Sequence, residues 1–415
     1  MRERLRIGAT ALLCVLPAAI MAQSSPRWGP DPAFAAGGMI KGISISPPVD
    51  DWTAEAYGMT EARLDALRAA GFNTLRTWIS LEEFLYPQPD MNQTLAKWMA
   101  HIGRSEQAGF KVKVSWASTW EERLQVLNDP ATRERFHTAL RALCGALNQR
   151  YPASQVALEM LNEPPGEHLA PGYYRSAAPG WFRACRDAAP DLTIIIQPVG
   201  GWHGAMSGFS LDDYDWNTIF AFHPYSPGEF THQGIGSQPH LYPVPMPITR
   251  YVGGRSQMIA DMEARVHNDR YLSAQEKLAE VARYTHLIHF LWWKDGSEWE
   301  NWDQLEDWVS GSGINPRRIM AGEFGVVSQF NYNGTPALQD VSSRAHFLRK
   351  VRDQTEANDF SGWVVHQALG DFNLFEQTGV GQHGERLIPE LVTALFGTQP
   401  IPPGPPVAGA LITVD

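Results

Sequence analysis

Cysteine is scarce. Three residues occur in 415, and Cys14 falls in an N-terminal stretch that reads as a leader. Two remaining cysteines cannot scaffold a chain of this size, so the fold must rest on its hydrophobic core. Cys144 and Cys185 both come late in helical patterns, RERFHTALRALCGAL and GWFRACRDA. That placement leaves open either a bridge or two buried free thiols. Positive charge is also in deficit, with 34 Lys and Arg against 45 Asp and Glu for a net charge of −11. Such a balance opposes binding to nucleic acid or to an anionic membrane. Beyond residue 22 no apolar run is long enough to span a bilayer. The chain also lacks a Gly-x-Ser-x-Gly elbow, a phosphate-binding loop and a dinucleotide fingerprint, so no cofactor is implied. His286 and His289 sit three apart without the acidic partner of a zinc helix, and no metal site is expected.

What is present begins with the leader. Arg2, Arg4 and Arg6 precede an apolar stretch from Ile7 to Met21 and a small residue at Ala22, the pattern of a secretory signal peptide over 1–22. Cys14 lacks the small residues that usually precede a lipidated cysteine, so a soluble protein of the periplasm or medium, expected to be a monomer, is the reading. Removing the leader deletes three arginines and one glutamate and takes the charge to −13. Residues 23–397 suit one barrel domain with large loop insertions. TQPIPPGPP opens a proline-rich tail over 398–415.

Short apolar runs alternate with helical patterns, the sign of a parallel sheet made of strand-helix units. Eight runs read as strands, at 38–46, 72–80, 110–118, 155–163, 192–200, 218–226, 318–326 and 361–369. Between them, segments such as TEARLDALRAAG and DPATRERFHTALRALCGAL carry Thr or Asp at their starts as helix caps. Eight such units predict an α/β fold, a (β/α)8 TIM barrel. About ninety residues separate the sixth strand from the seventh. This enlarged loop is expected to begin irregular, in YSPGEFTHQGIGSQPHLYPVPMPITRYVGG, and to turn helical in SAQEKLAEVARYTHLIHFLWWKD.

Two glutamates close apolar runs, Glu163 in VALEMLNEP and Glu323 in IMAGEFG. Each should emerge at the C-terminal end of a strand, where barrels place their chemistry. Cleaving an acetal needs one carboxyl group to protonate the leaving oxygen and a second to attack or stabilise the oxocarbenium-like carbon. Fifteen tryptophans in an acidic exported protein also fit a cleft where indoles stack on sugar rings.

On these motifs the chain, from about residue 38 to 397, resembles glycoside hydrolase family 5, the cellulase-like retaining barrels. Asn162-Glu163-Pro164 matches the fourth-strand motif. The resemblance implies that Glu163 is the general acid/base and that Asn162 contacts the sugar 2-hydroxyl. GEFG at 322–325 matches the seventh-strand motif and implies Glu323 as nucleophile. Arg76 stands where the family places an arginine on that nucleophile, and His223 and Tyr225 match a His-x-Tyr pair at the sixth strand, near the acid/base and the nucleophile. An arginine there would keep Glu323 ionised while Glu163 must hold its proton. Two positions depart from the pattern. Ala117 replaces a frequent histidine, and His366 falls where a tryptophan platform is expected, Trp363 being three residues too early. Trp78, Trp116, Trp120 and Trp202 lie at or beyond strand ends as candidate sugar binders, with His366 at the pocket floor and His232 and Gln233 as a polar subsite. Trp292, Trp293 and the stretch SEWENWDQLEDW read as helix packing.

The expected activity is a retaining, endo-acting β-1,4-glucanase on a polysaccharide or oligosaccharide. A β-mannanase, a mixed-linkage glucanase, an exo-β-glucosidase and a catalytically silent polysaccharide-binding barrel remain as alternatives.

Overall fold

The computed structural model describes residues 29–45, 58–87, 90–165, 173–232, 235, 245, 247–293, 302–332, 335–379 and 382–397. The leader, the tail and Gln233 lie outside the described residues. In chain order the strands are β1 (Ile40–Ser44), β2 (Thr74–Ser80), β3 (Lys111–Ala117), β4 (Val156–Glu159), β5 (Thr193–Ile196), β6 (Thr218–Phe222), β7 (Ile319–Phe324), β8 (Gln329–Tyr332), β9 (Thr335–Leu338), β10 (Gly362–Val365), β11 (Phe375–Gly379) and β12 (Gln382–Leu387). The first seven and β10 form a closed parallel barrel in the order β1-β10-β7-β6-β5-β4-β3-β2. This is the (β/α)8 barrel. All eight runs read from the sequence supply its strands. β8–β9 and β11–β12 are antiparallel hairpins added in the loops that follow β7 and β10.

The helices start where capping side chains allow. Thr60 accepts from the Arg63 amide at the head of helix Glu61–Ala70, and Asp129 accepts from Thr132 ahead of Pro130 in helix Pro130–Arg150. Strand alternation then sorts side chains between two cores. Residues such as Val112, Val114, Ile194, Ile196, Phe220 and Phe222 point outward under the helices. Ile40, Ala157, Ile195, Ile219, Ala221, Met320 and Val364 point inward and fill the barrel floor. Phe34 closes that floor from the N-terminal side, its amide bonded to Thr193 Oγ1 at 3.0 Å.

Between β6 and β7 lie helices Gly254–Asn268, Ala274–Trp293 and Asp303–Ser312. Met258, Met262, Ile288 and Leu291 join them to the main core. Trp302 stacks on Phe360 and meets Phe222 edge-on, so this part of the acidic-aromatic stretch is packing. Trp292 packs on the same core, whereas His286 and His289 are exposed. Cys144 and Cys185 are bridged, with Cα atoms 5.4 Å apart, tying helix Pro130–Arg150 to helix Tyr173–Ala188. No helix among the described residues is long and apolar enough to cross a membrane.

Candidate active site

The site grows from the inward face of β2 and β3. Arg76 is fully buried, and a buried guanidinium must find acceptors for its donors. Its Nε donates to Ser115 Oγ at 2.9 Å, and Nη2 donates to Glu159 at 2.7 Å and to Asn162 Oδ1 at 2.6 Å. Nη1 donates to Glu323 Oε2. Glu159, also fully buried, further accepts from Lys113 Nζ at 2.7 Å, from Ser115 Oγ at 2.5 Å and from Gln197 Nε2. Two cations, Arg76 and Lys113, thus meet two carboxylates, Glu159 and Glu323, and the barrel interior carries no uncompensated charge at this level.

The ladder of β4 ends at Glu159, four residues before Glu163. Glu163 takes a left-handed backbone, φ 41°, uncommon for a residue with a Cβ. Neighbours hold it there. Its amide donates to Gln197 Oε1 at 2.9 Å, and Arg123 Nη1 donates to the carbonyls of Asn162 and Glu163, both at 3.0 Å. Because Asn162 Oδ1 accepts from Arg76, its NH2 group is left as a donor.

Alternation alone would put Glu323 outside, since Met320 and Gly322 face inward. A bulge corrects this. Trp363 pairs with Ala321 and Val365 with Phe324, so β7 carries one residue more than β10 over that interval. Gly322 and Glu323 both turn in, and Phe324 returns to the outer core. Glycine is needed at 322 because a Cβ there would come within 2.8 Å of the Ala221 Cβ.

Just past β6, the Tyr225 hydroxyl donates to Glu323 Oε1 at 2.9 Å, and His223 Nδ1 lies 2.7 Å from Glu163 Oε1. His366, next after β10, brings Nδ1 to 3.9 Å from Glu323 Oε1. A carboxylate oxygen from each of Glu163 and Glu323 and a ring nitrogen of His223 all lie within 4.8 Å of one another. Three such groups could share a cation, but the Arg76 guanidinium already brings a positive charge to Glu323.

Burial raises the Glu163 carboxyl, but its hydrogen bond to His223, the charge of that ring and the charge of Arg123 outweigh burial and bring it down to about 2. The His223 ring is itself pushed below its ordinary value by burial, against the pull of Glu163. A neutral ring cannot supply the charge that lowers Glu163, so the two groups titrate as a pair. This corrects the expectation that the protein alone keeps Glu163 protonated. His366 is lowered to about 3, chiefly by burial and then by the Arg76 charge, and is neutral at neutral pH.

The family model for cellulase (glycosyl hydrolase family 5) matches residues 33–363. The chain belongs to glycoside hydrolase family 5. No curated protein matches this hydrolase by sequence. Solved structures of similar fold include the clostridial cellulose synthase subunit Z from Clostridioides difficile, at 17% identity and TM-score 0.58 over 86% of this chain and 99% of that one. A hyperthermophilic endo-β-1,4-glucanase in complex with substrate is 19% identical, TM-score 0.59, over 88% and 99%. Thermotoga maritima Cel5A in complex with mannotriose is 20% identical, TM-score 0.58, over 88% and 100%.

In this family 5 hydrolase the tryptophans divide differently from expectation. Trp116 is fully buried and meets Phe84 and Phe136 edge-on, so it cannot stack on a sugar. With Ser115 facing in, alternation sends Trp116 out under the helices. Trp78 lies 4.0 Å from the Arg76 guanidinium and is 8% exposed, which makes it a support for that arginine rather than an open platform. Trp120, 39% exposed, lies beside Arg123 on helix Trp120–Asn128, and Arg123 in turn donates to the Glu163 carbonyl. Trp202, 58% exposed, stands one residue beyond Gly201, whose carbonyl accepts from the His223 amide. His232 packs against Tyr225 and Phe372, and Phe372 packs against His366. Sequence reasoning missed Lys113, Glu159, Gln197, Arg123 and Phe372. For the first two a signal existed: FKVKVSWAS alternates Lys and Ser with apolar residues, and Glu159 interrupts an otherwise apolar strand.

Proposed function

We propose that this family 5 hydrolase is an exported, retaining endo-β-1,4-glucanase. The observation that carries the reading is the closeness of Glu163 and Glu323, since carboxyl groups ~5–5.5 Å apart suit nucleophilic attack whereas inverting enzymes need ~6.5–9.5 Å for a water. Glu323, held by Arg76 and Tyr225, attacks the anomeric carbon while Glu163 protonates the departing oxygen. Water then enters on the same face, Glu163 takes its proton, and Glu323 leaves. A sugar covering the Glu163 carboxyl, now one-third exposed, adds to the burial that favours its protonated form. The Asn162 NH2 group is placed to donate to a ring hydroxyl. The leader pattern at 1–22 supports export, and the fold likeness to an endo-β-1,4-glucanase supports the polymer.

Mannan is the second reading. His366 on the pocket floor gives less stacking area and one more hydrogen-bonding edge than an indole, and Thermotoga maritima Cel5A was solved with mannotriose as well as with cellobiose. Product analysis on a panel of β-glucans and β-mannans decides. Short oligosaccharides from cellulosic substrate, released first as the β-anomer by NMR, are expected. An α-anomer first would exclude retention, and release from mannan alone would move the substrate to the second reading.

A further inference from the structure

Glu163 works from a backbone that few residues with a Cβ adopt, φ 41°, and such a position persists only where its surroundings fix it. Two side chains do so. Gln197, fully buried, accepts from the Glu163 amide at 2.9 Å and donates through Nε2 to Glu159. Arg123 reaches in from helix Trp120–Asn128, its Nη1 donating to the carbonyls of Asn162 and Glu163, both at 3.0 Å. That helix is fixed at its start by a capping box, in which Thr119 Oγ1 accepts from the Glu122 amide at 3.2 Å and Glu122 Oε2 from the Thr119 amide at 2.6 Å. The Trp120 ring, its centroid 5.3 Å from the guanidinium carbon, adds a cation–π contact to Arg123.

Arg123 also brings charge to the carboxyl. Both N–H bonds of Nη1 serve the two carbonyls, and Glu163 Oε2 lies 3.7 Å away, past hydrogen-bond distance. Oε2 is thus left to carry a proton while Oε1 faces His223. When Glu163 protonates the glycosidic oxygen and the C–O bond breaks, it becomes a carboxylate, and a cation 3.7 Å away favours that product. When it later takes the proton of water the charge is lost again. The same cation opposes that second step, and a contact looser than a hydrogen bond serves both. The other charged or titratable groups around Glu163 are His223 and Tyr225 past β6, Arg76 on β2, Glu323 on β7, His232 in the sixth loop and His366 after β10. Arg123 itself feels Glu121 and Glu122 of its own helix. None of these changes when Arg123 alone is replaced.

We propose that Arg123 is a positioning residue for the reaction, holding Glu163 in its left-handed turn and countering the charge it acquires as its proton leaves, an inference that rests on reading Glu163 as the acid/base. The test measures kcat/KM, which reports the glycosylation step, on two aryl β-glycosides of the sugar released in the product panel. One carries a phenyl and the other a dinitrophenyl leaving group. Arg123→Met should lower kcat/KM about tenfold on the phenyl glycoside and less than about twofold on the dinitrophenyl one, whose departure needs no proton. The Glu163–His223 pair is neutral with one proton and carries one negative charge without it, so a nearby cation favours loss of that proton. Without Arg123 the alkaline limb of kcat/KM should therefore move up by about one pH unit. Arg123→Lys keeps the charge and should hold the limb in place, with a smaller loss on the phenyl glycoside. Arg123→Gln, neutral but still able to donate to one carbonyl, repeats both measurements should Arg123→Met fail to fold. Equal losses on the two leaving groups, or an alkaline limb that stays in place in the neutral variants, would overturn the proposal. Glu163→Ala on the same pair of substrates separates the two readings. A loss there confined to the phenyl glycoside, beside equal losses in Arg123→Met, overturns the positioning role alone; equal losses in Glu163→Ala overturn the acid/base reading and the proposal with it.

Discussion

At the scale of single residues, the two glutamates are distinguished by their neighbours rather than by their own chemistry. Glu323 is held by donors that favour its charged form, the Arg76 guanidinium and the Tyr225 hydroxyl. Glu163 faces His223, a group that can give a proton or take one. Glu323→Ala should therefore abolish hydrolysis, and azide should restore turnover with an α-glycosyl azide as product, because a small anion fits where the carboxylate stood. Glu163→Ala should spare activated aryl leaving groups, which need no proton, in the first step. Rescue in the reverse pattern would exchange the roles. His366, 3.9 Å from Glu323, touches the same pocket. His366→Trp is expected to change the ratio of kcat/KM between glucan and mannan oligosaccharides several-fold while shifting Tm little. A proportional loss on every substrate would deny it a part in specificity.

At the scale of elements, a strand in this barrel serves two solvents, the apolar layer beneath the helices and the polar interior. β3 shows the division, with Trp116 packed outward and Lys113 and Ser115 turned in. Glu159→Gln should cost about 3–5 kcal/mol in denaturant unfolding, since it leaves Arg76 and Lys113 facing each other with one buried charge too few. Trp116→Ala should cost a similar ~3–5 kcal/mol through its cavity, yet leave KM unchanged in the folded fraction. A raised KM with intact stability would restore Trp116 to the cleft. The eight barrel strands and the residues meeting at the mouth were readable because each closes an apolar run with a polar residue. The bulge in β7 was not readable, as it depends on how many residues β10 offers opposite Ala321–Phe324. Nearness to a strand end does not tell which face Trp116 takes; counting from the inward Ser115 puts it outside. The hairpin β8–β9 did carry a signal, the Asn-Gly pair at 333–334, which favours a tight turn between strands. The Lys113–Glu159 pair is hard to read in the sequence because an isolated charge in a strand usually means a solvated face, and only barrel closure puts that face inside.

At the scale of the whole molecule, the same buried charges set how stability varies with pH. Glu159 is held well below the usual carboxylate range: burial opposes the shift, but Arg76 and Lys113 overcome it. Glu163 is brought down to about 2 as described. An unfolded chain binds protons on these groups near the ordinary 4.5, before the folded one does, so their contribution is complete above that value and is lost as pH falls from 4.5 through 2. Lys113 works in the opposite range, because burial and then Arg76 lower it from 10.5 to about 7 against the pull of Glu159. Between those values the unfolded chain holds the extra proton, so stability rises with pH, and Lys111, lowered by burial and Arg317, acts in the same direction. Above pH 10 burial raises the hydroxyls of Tyr174, Tyr214 and Tyr225, so the folded chain keeps protons longer and the sign reverses. Thermal melts at constant ionic strength should therefore show Tm falling steeply below pH 4.5 and climbing from 7 toward 10. Lys113→Met should flatten the alkaline climb and also soften the acid limb, since Lys113 is one of the two cations that hold Glu159 down, while the share from Glu163 remains. An unchanged alkaline limb in that variant, or a flat Tm between pH 4.5 and 2.5 in the parent, would show that Lys113, Glu159 and Glu163 do not govern the pH response.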